Sequence, residues 1–437
     1  MNQTSNNESS RTFAVQEGVG VKPAKLWNKN FILLIIGQIV SLFGNAILRF
    51  ALPLYILLEY GSPELMGRVL ALSVIPMIVI SPLGGVLADR VNKKRLIVFL
   101  DFITAICSFL FLWAVGALSI VPITIIMLML LITINSIMNA ATDSSYPLIV
   151  PVDQLVRANS ISMTINTLAM MLGPMLGGIL IVGFGLNSLL LVGGICFALA
   201  AFMELFIHIP KVCHDSSGGM MKIVVGDIRD GLRFAIHTQP MIAKILLVII
   251  LFALVISSFG LVGVPVLITQ NLGMDARMVG VASGIMGAGG IVGGVISGVL
   301  GQKIRIQMSC WKLFAIGIFL IPMGLVLKLS VGTAVAFAII TAMMFLAMGL
   351  MTLFTIQILT FIQRVSPPEL IGKMVALIMS ATVLSQPLGK WVYGILFEHF
   401  VETPWIIIFP AAFIGMLIAL WSRKHFKSIV MDESTTL

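Results

Sequence analysis

Charge is what this sequence has least of. Of its 437 residues only 10% are Asp, Glu, Lys or Arg, against 59% apolar, and the mean hydropathy is +1.10. A water-soluble fold needs about a quarter charged residues to cover its surface, so a soluble domain is excluded and a bilayer is the solvent. Cysteine is scarce as well. Cys107 and Cys196 fall in apolar runs, and Cys213 and Cys310 fall in connections expected on the cytoplasmic side, so no external disulfide is expected. The five histidines lie in connections or at span ends without metal-ligand spacing, and neither a metal nor a cofactor is expected. A phosphate-cradling loop is missing too: Gly389-Lys390 is followed by Trp391 within an apolar run, which excludes an ATP-driven pump. No nucleophile, base and orienting group occur together, so the chain does not read as an enzyme.

What is present is a series of apolar runs of about 20 residues or more. They lie near 31–58, 64–88, 95–117, 120–142, 154–182 and 186–208, then 241–268, 276–300, 309–329, 333–358, 370–397 and 404–422. The expected fold is an all-α integral membrane protein, with twelve transmembrane helices in two six-helix pseudo-symmetric bundles. The first run is too long for a signal-peptide core of about 7–15 residues and stays in the mature protein. Residues 1–30 read as a disordered tail, 31–208 as the first bundle, 209–240 as a linker, 241–422 as the second bundle and 423–437 as a second tail. Within the linker, Ile223, Val224, Ile228, Leu232, Phe234 and Ile236 alternate with charged residues, the pattern of an amphipathic helix at the membrane surface or of a solvated linker helix.

The net charge of +9 is distributed to orient the chain rather than to bind nucleic acid. With the amino terminus inside, only Arg49, Arg68, Arg277, Lys328 and Lys390 of the 27 basic residues lie away from the cytoplasmic side, leaving 22 there. This is the positive-inside bias, and it places both termini in the cytoplasm.

An internal repeat accompanies the spans. A shift of 213 residues lays Gly85–Val91 over Gly298–Ile304 and Pro174 over Pro387, and a shift of 212 lays Leu52-Pro53-Leu54 over Val264-Pro265-Val266. Two six-helix halves of parallel topology are the repeat logic of proteins that expose a midplane site alternately to either side.

The segment from Gly85 to Arg95, GVLADRVNKKR, resembles the signature loop of the major facilitator superfamily, and the resemblance extends from the first span to the twelfth. Asn92 stands where that family usually has Gly, and is expected to take over its left-handed turn. The resemblance implies gating roles for Gly85, Asp89 and Arg90. Asp89 would pair with arginines and with the amino-terminal end of helix 11, where unpaired NH groups and the macrodipole favour a carboxylate. The second half carries uncharged Gln302 at the matching position, so the two gates should differ. Gly173, Pro174, Met175, Leu176, Gly177 and Gly178 resemble the core of the superfamily's exporter motif, although its upstream glycines read Ser160 and Ala169 here. Gly173 and Gly177 permit close helix approach and Pro174 kinks the helix; Gly289, Gly290, Gly293, Gly294 and Gly298 form a similar surface on span 8. With Pro147, Pro151, Leu155, Ala158 and Asn159, and with Asp227, Gly231, Leu232, Arg233 and Phe234, the chain is similar to the macrolide-efflux branch, whose wider membership includes lysophospholipid carriers.

Gln38, Ser41, Asn45 and Arg49 form one polar stripe on span 1, and Thr382, Gln386, Lys390 and Tyr393 form another on span 11. Span 4 adds Asn135, Asn139 and Thr142, and span 5 adds Ser162 and Asn166. Such groups avoid lipid and face protein or a water-filled cavity. Arg49 and Lys390 either project into that cavity or snorkel to the far surface. Asp101 is expected to pair with Arg90, Lys94 or Arg95, or to carry protons. Acids near the spans lie toward their ends, so preferred substrates are expected to be neutral, zwitterionic or anionic amphiphiles. Three functions remain: a proton-driven exporter of amphipathic small molecules, a lysophospholipid or metabolite carrier, and a membrane receptor or scaffold that transports nothing. The expected partners are a small-molecule substrate, the lipid bilayer and protons, with the chain a monomer.

Overall fold

The computed structural model describes residues 25–78, 80, 91–210, 226, 229–300 and 306–433. With no water to satisfy backbone groups inside a bilayer, the chain closes its hydrogen bonds within helices. In order they are α1 (Lys29–Tyr60), α2 (Pro63–Leu72), α3 (Lys93–Ala114) and α4 (Ile120–Asp143). Leu155–Glu204 is interrupted at Gly185, whose φ of 73° and ψ of 178° suit glycine alone, into α5 (155–184) and α6 (186–204). The second half holds α7 (Pro240–Asn271), α8 (Ala276–Leu300), α9 (Ser309–Lys328), α10 (Thr333–Val365), α11 (Pro368–His399) and α12 (Trp405–Glu433). Ten described helical segments are long and apolar enough to cross a bilayer. Dividing one of them at Gly185 and adding α2 brings the described helices to the twelve of the fold.

The helices are inside-out relative to soluble ones. On α3 the side chains of Phe99, Phe102, Ile106, Leu110 and Trp113, spaced by three or four residues, are all exposed, whereas Asp101, Thr104 and Ser108 are buried. Thr104 and Ser108 satisfy themselves by donating to the carbonyls of Leu100 and Thr104, at 2.8 and 2.9 Å. At the start of α1, Asn28 accepts from the Phe31 NH at 3.0 Å and donates to the Ile149 carbonyl at 2.8 Å, which ties the helix to the turn before α5. Asn92 does not take the left-handed turn expected of it. Its φ is −60° and its side chain caps α3 by accepting from the Arg95 NH at 3.1 Å, a stronger reason for an Asn at this position.

Both arms of the α5–α6 hairpin clasp α1. On one side Gly173 abuts Ala46 and Gly177 abuts Phe50; on the other Gly193 meets Leu48 and Gly37 meets Glu204. The second half repeats the pattern, with Gly389 of α11 against Leu254 and Ser258 of α7. Of the glycines expected to pack α8, Gly289 and Gly293 lie against the α10 backbone, while Gly294 and Gly298 have open space beside them. In the linker, Phe234 and Ala235 are buried, Gly231 lies near α11, and Asp230 meets Lys373 at 2.8 Å; Ile223, Val224 and Ile228 lie outside the described residues.

Candidate functional site

α1 carries two charged levels. At the lower one, nearer the face on which Lys29, Lys93 and Arg157 cluster (hereafter the basic face), Gln38 accepts from the Tyr146 hydroxyl at 3.0 Å and donates to Ser162 at 3.2 Å. Asn45 donates to the Leu131 carbonyl on α4 at 3.2 Å. Gln38 and Asn45 are thus committed to helix–helix bonds. Ser41 between them donates to Asp101 at 2.8 Å. Asp101 and Glu204 are only 1% and 2% exposed, and their carboxyl groups lie within hydrogen-bonding reach of each other. Asp101 Oδ2 and Glu204 Oε2 find no other donor. Two carboxyl groups bond to each other only through a proton that one of them carries. Gly37 makes room for the pair: a Cβ there would stand 2.9 Å from Glu204 Cγ. Neither Lys94 nor Arg95 pairs with Asp101, because the carboxylate points inward to α1 and α6 rather than back to the helix start. Arg90 lies outside the described residues.

The upper level lies two helical turns further along α1, about 12 Å from Ser41 at 1.5 Å per residue. Here half-buried Arg49 of the first half and Lys390 of the second, 5% exposed, come within electrostatic reach of each other. Among the described residues neither has a carboxylate partner. Lys390 is thus buried within the protein, whereas Arg49 keeps part of its side chain exposed. Around them, Thr382 bonds back to the Ile378 carbonyl at 2.9 Å, Gln386 is half-buried, and Tyr393 stacks edge-on with Phe259 at 5.7 Å. On α4, Asn135 and Asn139 are half-buried with amides that bond to no described residue. They lie on the basic-face side of Leu131, so these amides precede the cation pair on a path from that face.

Above this level the halves meet along two seams. Between α5 and α8, a Cβ at Gly178 would stand 2.5 Å from the Ala276 carbonyl oxygen, and one at Gly280 would stand 2.6 Å from the Pro174 carbonyl oxygen. Gly173, Pro174, Gly177 and Gly178 thus wedge α5 between α1 and α8. Between α2 and α11, a Cβ at Gly67 would stand 2.6 Å from the carbonyl oxygen of Lys390 itself. At the far end, the Glu398 carboxylate accepts from Ser62 at 2.7 Å and from the Glu64 NH at 3.1 Å, so an acid at the end of α11 caps the start of α2. Gln270 donates across to the Gly61 carbonyl at 2.8 Å. These contacts close the far face. Gly85, Asp89, Arg90 and Gln302, the residues expected to gate the opposite face, lie outside the described residues.

A sequence model of the Major Facilitator Superfamily matches residues 34–390. The chain belongs to that superfamily. Its relatives within it include macrolide efflux protein A of Streptococcus pyogenes, 23% identical over 388 residues that cover 87% of this chain and 93% of that protein. The nucleoside transporter NupG shares the fold with a TM-score of 0.71 at 14% identity, covering 91% of this chain and 99% of that one. A bacterial homologue of ferroportin, 17% identical, superposes at 0.67 in its inward-facing state, covering 90% and 98% of the two chains, and at 0.55 in its outward-facing state, covering 91% and 98%. The protein is therefore a multi-pass membrane protein of a transporter superfamily. Two site residues escaped the sequence reading. Glu204 is the one acid of the sixth apolar run, and that isolation was its signal; Glu398 gave none, because a helix-end acid is ordinary until its neighbour is known.

Proposed function

We propose that the protein is a proton-coupled exporter of amphipathic small molecules, with both termini in the cytoplasm. The observation that carries this reading is the Asp101–Glu204 pair, two buried carboxyl groups side by side inside the first half that touch the polar stripe of α1 through Ser41. In the cycle, the pair takes one proton from the outside while the outer face is open. It gives that proton to the cytoplasm while the inner face is open, and substrate moves the other way. The closed seams at the far face correspond to the inward-open stage, in which Asn135 and Asn139 meet substrate first. The name of the macrolide efflux relative supports the direction.

The test is transport in oriented vesicles. Inverted vesicles with an acid interior should accumulate a labelled macrolide or another amphiphile from a panel of drugs, lysophospholipids and amino acids, and a protonophore should stop it. Accumulation confined to right-side-out vesicles, or indifferent to the protonophore, overturns the reading. Reporter fusions at Met1 and Leu437 should both be cytoplasmic; either one outside overturns the orientation.

A further inference from the structure

We infer that Arg49 and Lys390 together form a receptor for an anionic headgroup, so that the preferred cargo is an amphiphile carrying a phosphate, sulfate or carboxylate. The inference rests on the exporter reading for its transport consequence, but the site itself stands on charge and position. One cation comes from each half: Lys390 is 5% exposed on α11 where α2 packs against it, and Arg49 is half-buried on α1 within its electrostatic reach. A cation removed from water needs a counter-ion, and two within electrostatic reach of each other need one more urgently. Three acids of the far face are engaged elsewhere. Glu64 pairs with Arg68 at 2.5 Å, Glu398 caps α2, and Asp275 caps α8 by accepting from the Arg277 NH at 3.0 Å, while Glu59 and Glu402 are exposed to solvent. Below, Asp101 is sealed against Glu204 within the first half.

Chemistry narrows the ligand further. A guanidinium presents a planar fork that grips two oxygens of one anionic group, while an ammonium is a point charge with three donors. One phosphate-like group between them satisfies both halves at once. The apolar tail of such a molecule would lie toward Met171 and Met175, which pack α5 against Gly284 and Gly287 of α8 between the two halves. When the far face opens, the two halves part. The bridge between the two cations is then broken, which releases the anion outward.

Binding to the full-length protein in phosphatidylcholine nanodiscs tests this directly, using tritiated decyl phosphate, decyl glucoside and decyltrimethylammonium as probes. Decyl phosphate should bind at least about tenfold more tightly than the glucoside, with the cation weakest. Arg49→Gln and Lys390→Gln should each remove that preference and leave the glucoside unchanged, while Lys390→Arg should keep it. Inorganic phosphate should displace decyl phosphate only at concentrations well above those at which the amphiphile binds. Displacement at equal concentrations would mean a site for the free anion and would overturn the amphiphile assignment. Best binding of the cation, or an unchanged headgroup order in both Gln variants, overturns the receptor. Glucoside binding shared by wild type and variants serves as the folding control. Failure of the exporter reading looks different: decyl phosphate binds with the expected order, yet no probe moves across vesicles.

Discussion

α1 bears two charged sites that differ in what they belong to. The acid pair at Asp101 and Glu204 lies within one half, between α1, α3 and α6, so a rocking motion of the halves leaves its geometry intact. Arg49 and Lys390 belong to different halves, so the same motion makes or breaks their proximity. A site inside a rigid body suits an ion that must be held while the halves move from one state to the other. A site across the seam suits a ligand whose affinity has to change with the state, because only differential contact between two states can bias their equilibrium. Ser41 and Arg49, on one face of one helix, place the two within about 12 Å.

The sharpest way to break this division is at the acid pair. Glu204→Gln keeps the shape and a hydrogen bond to Asp101 but removes one titrating group. Uphill transport should fall to the level of protein-free vesicles, while exchange of substrate down its gradient persists. Uphill transport at the wild-type rate would mean that the pair is structural. The opposite manipulation tests the cross-seam site. Arg49→Glu sets a carboxylate beside Lys390, and close charge pairs across interfaces couple by roughly 1.5–7 kcal/mol. The far face should then stay shut, with labelling of an engineered cysteine there slowed by at least about tenfold. Unchanged labelling would separate Arg49 from the seam.

Much of this was legible in the sequence. The apolar runs located the spans, and the offset repeat anticipated the matched α1–α5 and α7–α11 contacts, because bilayer thickness and packing of small residues act locally along the chain. The stripes on α1 and α11 were legible from their spacing, but their division of labour was not. Whether Gln38 and Asn45 bond to another helix or face a ligand depends on what α4 and α5 bring to them. Glu204 was legible as an isolated acid. Its partner was not, because the contact joins residues a hundred apart through a glycine on a third helix.

The seams offer weaker tests of the same comparison, since changes there should move the cross-seam site and spare the acid pair. Gly178→Val puts a branched side chain where even a methyl would stand 2.5 Å from the Ala276 carbonyl oxygen. Overpacking of this kind costs about 1–3 kcal/mol, so the far face should open more often and decyl phosphate binding should weaken. Proton-coupled steps that need no substrate should not change, and tighter decyl phosphate binding would contradict the seam's role. Glu398→Gln removes the charge that caps α2, an effect of about 1 kcal/mol. The expected shift toward far-face opening is about fivefold, read from the same cysteine, and none at all would mean that Ser62 suffices as the cap.

The smallest effect should come from a charge pair that belongs to neither site. Lys373, near the start of α11, hydrogen-bonds to exposed Asp230 of the linker and holds its carboxyl below the usual carboxylate range, helped by Arg229 and Arg233. A depressed native value means that the stabilisation is complete above the ordinary value of about 4 and is lost only as the pH falls through the lower native one. Nothing should therefore change between about pH 6 and 8, where transport is measured. Exposure and salt screening keep such a pair weak. Asp230→Asn should leave the headgroup order, the pH dependence of transport and the unfolding temperature as they are, and raise only the rate at which a protease cuts the linker. A shift of the transport profile in this variant would mean that the linker feels the acid pair, and the separation of a proton site within one half from a ligand site between halves would no longer hold.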